Sequence, residues 1–329
     1  MKQKWMLVLT VCLITLSLLD SGCKGGDNDK KEVPAKIQSI NIVTATTGGV
    51  YYPLGIAIAQ LFNQNISGIK AISVATAGTA KNVQLMQEKS AEVAFVQNGV
   101  AYYAFNGTEM FKDKPMKFLR GITNLYPNVM HIVVAANSNI KTINDLEGKK
   151  IVPGSIGSAT EIDSKEILEL YGLNFKDMKS EYLGYSEAAE ALKDGRVDGI
   201  IIAGGLPTSA VLDVAASLKI RILSMEPVMI GKLQETMPWY FAITIPKGTY
   251  MGQLEDVKTV AVANWLVCRD DLNNELVYNM TKTLYENQKD LVAAHSAAKD
   301  MRIQDALKGM TVPLHPGAER YYKEKGIVK

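Results

Sequence analysis

The sequence predicts an α/β protein built from two lobes, on three observations. The 329-residue chain is 47% apolar and 21% charged, a globular composition, and its length suits two domain-sized units of ~100–200 residues each. Short β-branched runs alternate with stretches of helical spacing, the pattern of βαβ units. The alternation starts near residue 37 and restarts near residue 131.

In the first lobe, Ile37–Thr46 reads as a strand. Tyr52–Phe62 reads as a helix, with Pro53 in its first turn and Leu54, Ile58, Leu61 and Phe62 on one face. Ala71–Ala75 is a strand, Ala80–Lys89 a helix and Val93–Val96 a strand, continuously apolar as in a sheet covered on both faces. In the second lobe, His131–Ala136 and Lys150–Pro153 read as strands and Thr160–Tyr171 as a helix capped by Gly172. Then come the strand Glu181–Leu183, the helix Ser186–Asp194, the strand Val197–Ala203, the helix Thr208–Leu218 and the strand Ile220–Ser224. Tyr240–Ile245 and Thr259–Val267 are further strands. The tail from Asp270 is mostly helical, with Leu276, Met280 and Leu284 on one face. The chain is expected to cross between lobes near 130–136 and near 239–245, so that 37–130 with 245–329 form one lobe and 131–244 the other. Two extended crossovers would make a hinge.

The N-terminus reads as an address. Lys2 and Lys4 precede the apolar run Trp5–Leu19, which is shorter than the ~20 residues of a spanning helix and suits a signal-peptide core. Leu19-Asp20-Ser21-Gly22-Cys23 resembles a bacterial lipoprotein box, with Asp20 departing from the pattern. Cleavage there makes 1–22 a signal peptide, Cys23 the lipidated first residue and 23–36 a flexible polar tether, placing the chain outside the cytoplasm on a membrane anchor. The plainer alternative is an ordinary secretory leader with Cys23 incidental.

Ligands of open α/β sheets lie beyond the carboxyl ends of strands. Here those ends carry Thr46-Thr47-Gly48-Gly49-Val50-Tyr51, Thr76-Ala77-Gly78-Thr79, Gln97-Asn98-Gly99, Gly154-Ser155-Ile156-Gly157-Ser158-Ala159-Thr160-Glu161 and Gly204-Gly205-Leu206-Pro207. Each joins glycine to polar groups or to a helix start. Glycine lets backbone approach a ligand, and helix N-termini leave unpaired N–H groups that attract anions. Facing one cleft, they would hold a small carboxylate without an arginine. Each loop also has a bland reading: Ser158-x-x-Glu161 is a capping box and Thr79 a plain N-cap.

Other chemistry is poorly represented. With 36 Lys and Arg against 34 Asp and Glu, the net charge is +2 and the basic residues are scattered, which argues against nucleic acid as a partner. Three cysteines make no disulfide framework, and three separated histidines make no zinc site. There is no Gly-x-Ser-x-Gly, so a hydrolase lacks its nucleophile motif. No cofactor is expected. Cys268 reads as core, His131 as a structural or hinge residue and His315 as part of a motif with no derivable role.

The motif Thr46-Thr47-Gly48-Gly49-Val50-Tyr51-Tyr52-Pro53-Leu54-Gly55 resembles the TAXI family of TRAP transporter solute receptors. So do Ala94-Phe95-Val96-Gln97-Asn98-Gly99-Val100-Ala101-Tyr102, Gly157-Ser158-Ala159-Thr160-Glu161, Ile245-Pro246-Lys247-Gly248-Thr249-Tyr250 and Pro313-Leu314-His315-Pro316-Gly317-Ala318. The resemblance implies a type II periplasmic-binding-protein fold, a monomer that closes on a small carboxylate such as glutamate or 2-oxoglutarate, and a fused TRAP permease as partner. It implies ligand contacts from Thr47, Gly48, Tyr51, Gln97, Asn98, Ser155, Ser158, Ala159 and Thr160. Ala159 stands where the family has glycine, and Gly205 lies in a stretch that tunes selectivity. The alternative function is a ligand-sensing lipoprotein that signals to a membrane kinase.

Overall fold

The computed structural model describes residues 37–329. The expected signal peptide, Cys23 and the tether over 23–36 lie outside the described residues. β1 (Gln38–Val43), β2 (Ile69–Val74) and β3 (Val93–Gln97) are joined by α1 (Tyr51–Asn65) and α2 (Thr79–Gln87), and β1 lies parallel to both of the others. α3 (Asn98–Asn106) leads to the long strand β4 (Leu119–Ala135). The second unit follows: β5 (Lys150–Val152), α4 (Ala159–Leu170), β6 (Lys179–Ser180), α5 (Tyr185–Lys193), β7 (Gly199–Gly204), α6 (Ser209–Ser217), β8 (Ile220–Ile222), α7 (Pro227–Thr236) and β9 (Phe241–Ile245). β10 (Val257–Arg269) returns, and α8 (Asn274–Glu286), α9 (Gln288–Ala294) and α10 (Pro316–Glu324) close the chain.

The strands run in the order β2-β1-β3-β10-β4-β7-β5-β6, with β8 added to β4 and β9 to β10. β4 and β10 pair antiparallel from Leu119 with Arg269 to Val129 with Ala261. Beyond that ladder β10 continues against β9, and β4 against β7 and β8. These two strands therefore run through both lobes.

Each lobe has its own core on each face of its sheet. Ile42, Phe62, Tyr126 and Leu266 share one cluster in the first lobe, and Val43, Val96 and Trp265 share the other. In the second lobe the clusters form around Val129, Ile200 and Val214 and around Ile132, Ile167 and Val262. Each fully buried aliphatic side chain contributes roughly 1.5–3 kcal/mol, so each lobe can rotate as a unit with its core intact.

The predicted α/β fold with a two-strand hinge is the one observed, but the return crossing is displaced. Ile245, Val257 and Ala261 pack with the second lobe, and core membership changes only between Val262 and Ala263. β9 reads in sequence as a crossing because it is extended and apolar. Its alternating exposure is that of a hairpin partner of β10 with one face turned outward. We propose 128–262 as the second lobe, in place of 131–244.

Candidate functional site

The strand-end loops converge. Ala45, Thr46, Gly49, Val50 and Tyr51 after β1, Ala77 to Thr79 after β2, Ser155, Ser158, Ala159 and Thr160 after β5, Ala203 on β7 and Tyr185 at the start of α5 border one cavity of about 40 Å3, with Tyr126 and Asn128 of β4. α1, α2 and α4 begin at its wall. The first two start at Val50 and Gly78 with no capping side chain, so no side chain occupies their first amides, although Lys81 N of α2 is taken by Gly157 O. Two glycines make the close approach possible. Gly78 has φ +126°, and a Cβ there would stand 3.3 Å from Ser158 Cα across the cleft. Gly154 has φ +118°, and its Cβ would come within 2.8 Å of the Glu161 amide. Neither conformation suits a residue with a side chain.

α4 is capped as its sequence suggests. Glu161 N donates to Ser158 Oγ at 3.1 Å, and Gly157 N to Glu161 Oε2 at 2.8 Å. Ser158 thus borders the cavity with its hydroxyl already engaged by its own helix.

Three tyrosines point polar ends at this region. Tyr51 Oη donates to Asn264 Oδ1 on β10. Tyr185 Oη donates to Ala203 O at 2.6 Å, accepts from Ala203 N at 3.1 Å and lies 2.5 Å from Thr160 Oγ1. Tyr126 Oη is buried and has no partner. Burial pushes the Tyr185 phenol up to about 12 and raises those of Tyr51 and Tyr126, so all three are neutral donors at any physiological pH. Among the described residues, no Lys, Arg, His, Asp or Glu borders the cavity. Its electrostatics come from three helix ends, each equivalent to roughly half a positive charge.

The cleft is closed. Ser155 Oγ donates to Ala77 O at 3.2 Å, and Lys81 N to Gly157 O at 3.3 Å, both from one lobe to the other. Behind the cavity Gln97 Nε2 donates to Asp163 Oδ2 at 2.6 Å and Tyr103 Oη to Glu166 Oε1 at 2.7 Å. Tyr240 Oη joins Asp163 Oδ1 at 2.7 Å and Glu166 Oε2 at 2.6 Å.

Of the sequence-predicted residues, Tyr51, Ser155, Ser158, Ala159 and Thr160 border the cavity. The others stand elsewhere. Thr47 is exposed at the turn. Gly48 seats against α5, where a Cβ would come within 2.6 Å of Ser186 Oγ. Gln97 turns back to Asp163, and Asn98 donates to Trp239 O at 3.3 Å. Gly205 packs on Ala297, Val50 and Tyr126. Gly48, Gln97, Asn98 and Gly205 serve the fit between lobes, because a loop at the ligand edge of a two-lobed protein also meets the opposite lobe on closure. Tyr126, Asn128 and Tyr185 are additions. The first two flank Pro127 inside β4, where proline hides the strand and with it the wall it forms.

His131 is enclosed. Nδ1 lies 2.9 Å from Val129 O and Nε2 2.8 Å from Tyr250 Oη, which also accepts from Thr208 N at 3.1 Å. His315 caps α10: its Nδ1 accepts from Gly317 N and its Nε2 lies 3.1 Å from Leu272 O. Cys268 is free and buried.

Two α/β lobes that share two strands and close on a polar cavity have the fold of periplasmic solute-binding proteins. A solved structure described as a periplasmic transporter is 14% identical over 88% of this chain and 93% of that one, with a TM-score of 0.53. A putative L-cystine ABC transporter from Listeria monocytogenes is 16% identical over 81% and 99%, with a TM-score of 0.50. The aliphatic sulphonate binding protein SsuA from Escherichia coli is a looser likeness, 16% identical over 87% and 78% at 0.44. The chain itself belongs to the NMT1-like family, whose model matches residues 42–326. That match replaces the resemblance to TAXI receptors of TRAP transporters. Glycine and hydroxyl turns let backbone approach a ligand whatever the transporter, so these motifs do not by themselves assign the transporter class.

Proposed function

We propose that this chain is an extracytoplasmic solute receptor, not an enzyme, which captures one small carboxylate by closing its lobes and hands it to a membrane transporter. The observation that carries the reading is the cavity wall: three helix starts and neutral hydroxyls, with no charged side chain among the described residues. Such a wall suits an anion, since a buried positive helix end stabilises negative charge by up to ~2 kcal/mol and no arginine has to be desolvated. A cation would face the wrong end of each dipole. The volume favours a small ligand, because a single water already needs ~10–15 Å3. Tyr126 Oη adds a directional argument. It is a buried donor without an acceptor, and a carboxylate oxygen would supply one.

In this reading Tyr51, Ser155, Ala159, Thr160, Tyr126, Asn128 and Tyr185 form the binding wall. The Ala159 methyl restricts ligand size. The ligand meets both lobes only when they are closed, so it shifts the population toward closure, and the transporter reads the closed shape. An ABC-type transporter, the class in the description of the L-cystine neighbour, is the partner we propose. Lipidation at Cys23 would hold the receptor at the membrane.

Titration calorimetry of the full chain against small mono- and dicarboxylates, amino acids, aliphatic sulphonates and neutral sugars tests the reading. The expected result is micromolar or tighter binding of one small carboxylate. Binding of a sugar alone, or of nothing in the panel, would sink it.

A further inference from the structure

Asp163 and Glu166 stand one turn apart on α4, further along the helix than the cavity-lining Ala159 and Thr160, and neither borders the cavity. Asp163 is 1% exposed. Their partners come from both sides of the cleft: Gln97 of β3 and Tyr103 of α3 in the first lobe, Tyr240 in the second.

The cluster is short of hydrogen. Tyr240 has one hydroxyl proton, yet its oxygen lies within hydrogen-bond distance of both Asp163 Oδ1 and Glu166 Oε2. It can donate to only one carboxylate, so the other contact needs a proton that the carboxyl brings. Gln97 gives an independent sign of the same deficit. Gln97 is 1% exposed, and its Oε1 has no donor, although its amide group abuts Asp163. The charged neighbours do not relieve the pair. Glu109, on the turn after α3, and Glu169, further along α4, act on Glu166 with the same sign, and Tyr51 of α1 and Tyr185 of α5 face Asp163 at longer range. Lys165 reaches Glu169 at 3.8 Å, and no Lys, Arg or His among the described residues contributes to either carboxyl.

We propose that Asp163 and Glu166 of the second lobe hold one shared proton where the first lobe covers them, so that the receptor takes up a proton as it closes on its ligand. The second part rests on the closure reading above. In the open state the pair would face solvent and ionise as ordinary carboxyls. In the closed state burial and Glu166 push Asp163 up to about 8, and burial raises Glu166. A group whose closed-state pKa is raised stabilises closure fully below its open-state value, near ~4, and loses that effect as pH rises through the closed value. Capture is therefore favoured by acid over roughly pH 4–8. The proton also suits the ligand: an anion held by helix ends alone would be repelled by two bare carboxylates directly behind the wall.

The test uses the full chain with 13C-labelled carboxyls, followed by NMR from pH 3 to 9, ligand-free and with L-glutamate as probe. One carboxyl carbon is expected to titrate above pH 6, and to lose that step in Asp163→Asn. The asparagine amide donates to Tyr240 and accepts from Gln97, which replaces the proton without unpairing the cluster. Glu166→Gln gives the same outcome from the other side, should the first variant fold poorly. Glutamate affinity in the wild type is expected to weaken by up to about tenfold per pH unit between pH 6.5 and 7.5, and to flatten in both variants. If every carboxyl titrates below pH 5.5 with and without glutamate, the proposal is overturned. If the high-titrating carboxyl is present but glutamate does not bind at any pH, the shared proton stands and glutamate, not the carboxylate class, is excluded as the ligand.

Discussion

Two buried titratable clusters, each tied by a tyrosine hydroxyl, behave in opposite ways. His131 lies wholly within the second lobe. Its Nδ1–H donates to Val129 O, its Nε2 accepts from Tyr250, and Tyr250 in turn accepts from Thr208 N. Every polar atom is used with the imidazole neutral. Asp163 and Glu166 draw their partners from both lobes and need a proton to complete the set. Burial disfavours charge in both places. Within one lobe that penalty makes a lock, and across the cleft it makes a coupling between protonation and closure. The two should therefore answer pH with opposite sign.

The largest test breaks the lock. His131→Ala opens a cavity in a packed strand and leaves Tyr250 and the Val129 carbonyl without their partner. We expect a loss of about 3 kcal/mol in urea unfolding. Ligand affinity at pH 7 should stay within about twofold, since His131 borders no part of the cavity. A stability loss below about 0.5 kcal/mol would show that the cluster is not a lock.

The pH response sharpens the contrast. Burial lowers His131 to about 4, against an ordinary value near 6.5. A base depressed in the native state contributes stability that is complete above 6.5 and falls away as pH drops toward 4. Between pH 7 and 5 the wild type should lose about 2 kcal/mol more than His131→Gln, read as the difference of two denaturation series. Over the same range the closed cleft should strengthen. Parallel responses of stability and affinity would erase the distinction between the clusters.

Tyr240→Phe comes next. It removes the hydroxyl shared by the two acids while keeping the ring against Trp239, 6.5 Å between centroids. The cost is about 1–3 kcal/mol, as for an unpaired buried polar group. Tyr240 and both acids belong to the second lobe, so part of it falls on that lobe's unfolding. Affinity should drop as well, because the first lobe covers the unpaired acids on closure. Loss of global stability with unchanged affinity would make Tyr240 a core residue like Tyr250.

The contrast also explains what could be read from sequence. Periodicity and β-branched runs placed most strands and helices, because each lobe buries its own apolar faces. The leading part of β4 escaped, since Gly121 and Pro127 interrupt its pattern. So did α7, where Pro227 opens a helix on which only Ile230 and Leu233 are buried. At the site, the turns that line the cavity follow from local chemistry: glycine, hydroxyl, helix start. What escaped depends on the other lobe. Gln97 and Asn98 look like ligand residues at the end of β3, yet meet Asp163 and Trp239. Asp163 looks like a solvated helix residue, yet is buried by β3. No local signal reports a surface that exists only when two lobes meet.

The smallest effect discriminates most finely between cleft and core. Tyr126→Phe deletes a hydroxyl that is buried and has no partner in the protein. In a core such a deletion is neutral or stabilising, because a desolvated donor without an acceptor is removed. In a ligand wall the same deletion removes a hydrogen bond that exists only in the complex. Unfolding stability without ligand should therefore stay level or rise by up to about 1 kcal/mol. Affinity for the carboxylate should fall by about five- to tenfold, the equivalent of one hydrogen bond of roughly 1 kcal/mol. Thermal melting with and without ligand reads both quantities on one sample. A variant more stable than the wild type that binds equally well would place Tyr126 in the core of β4 and remove it from the binding wall.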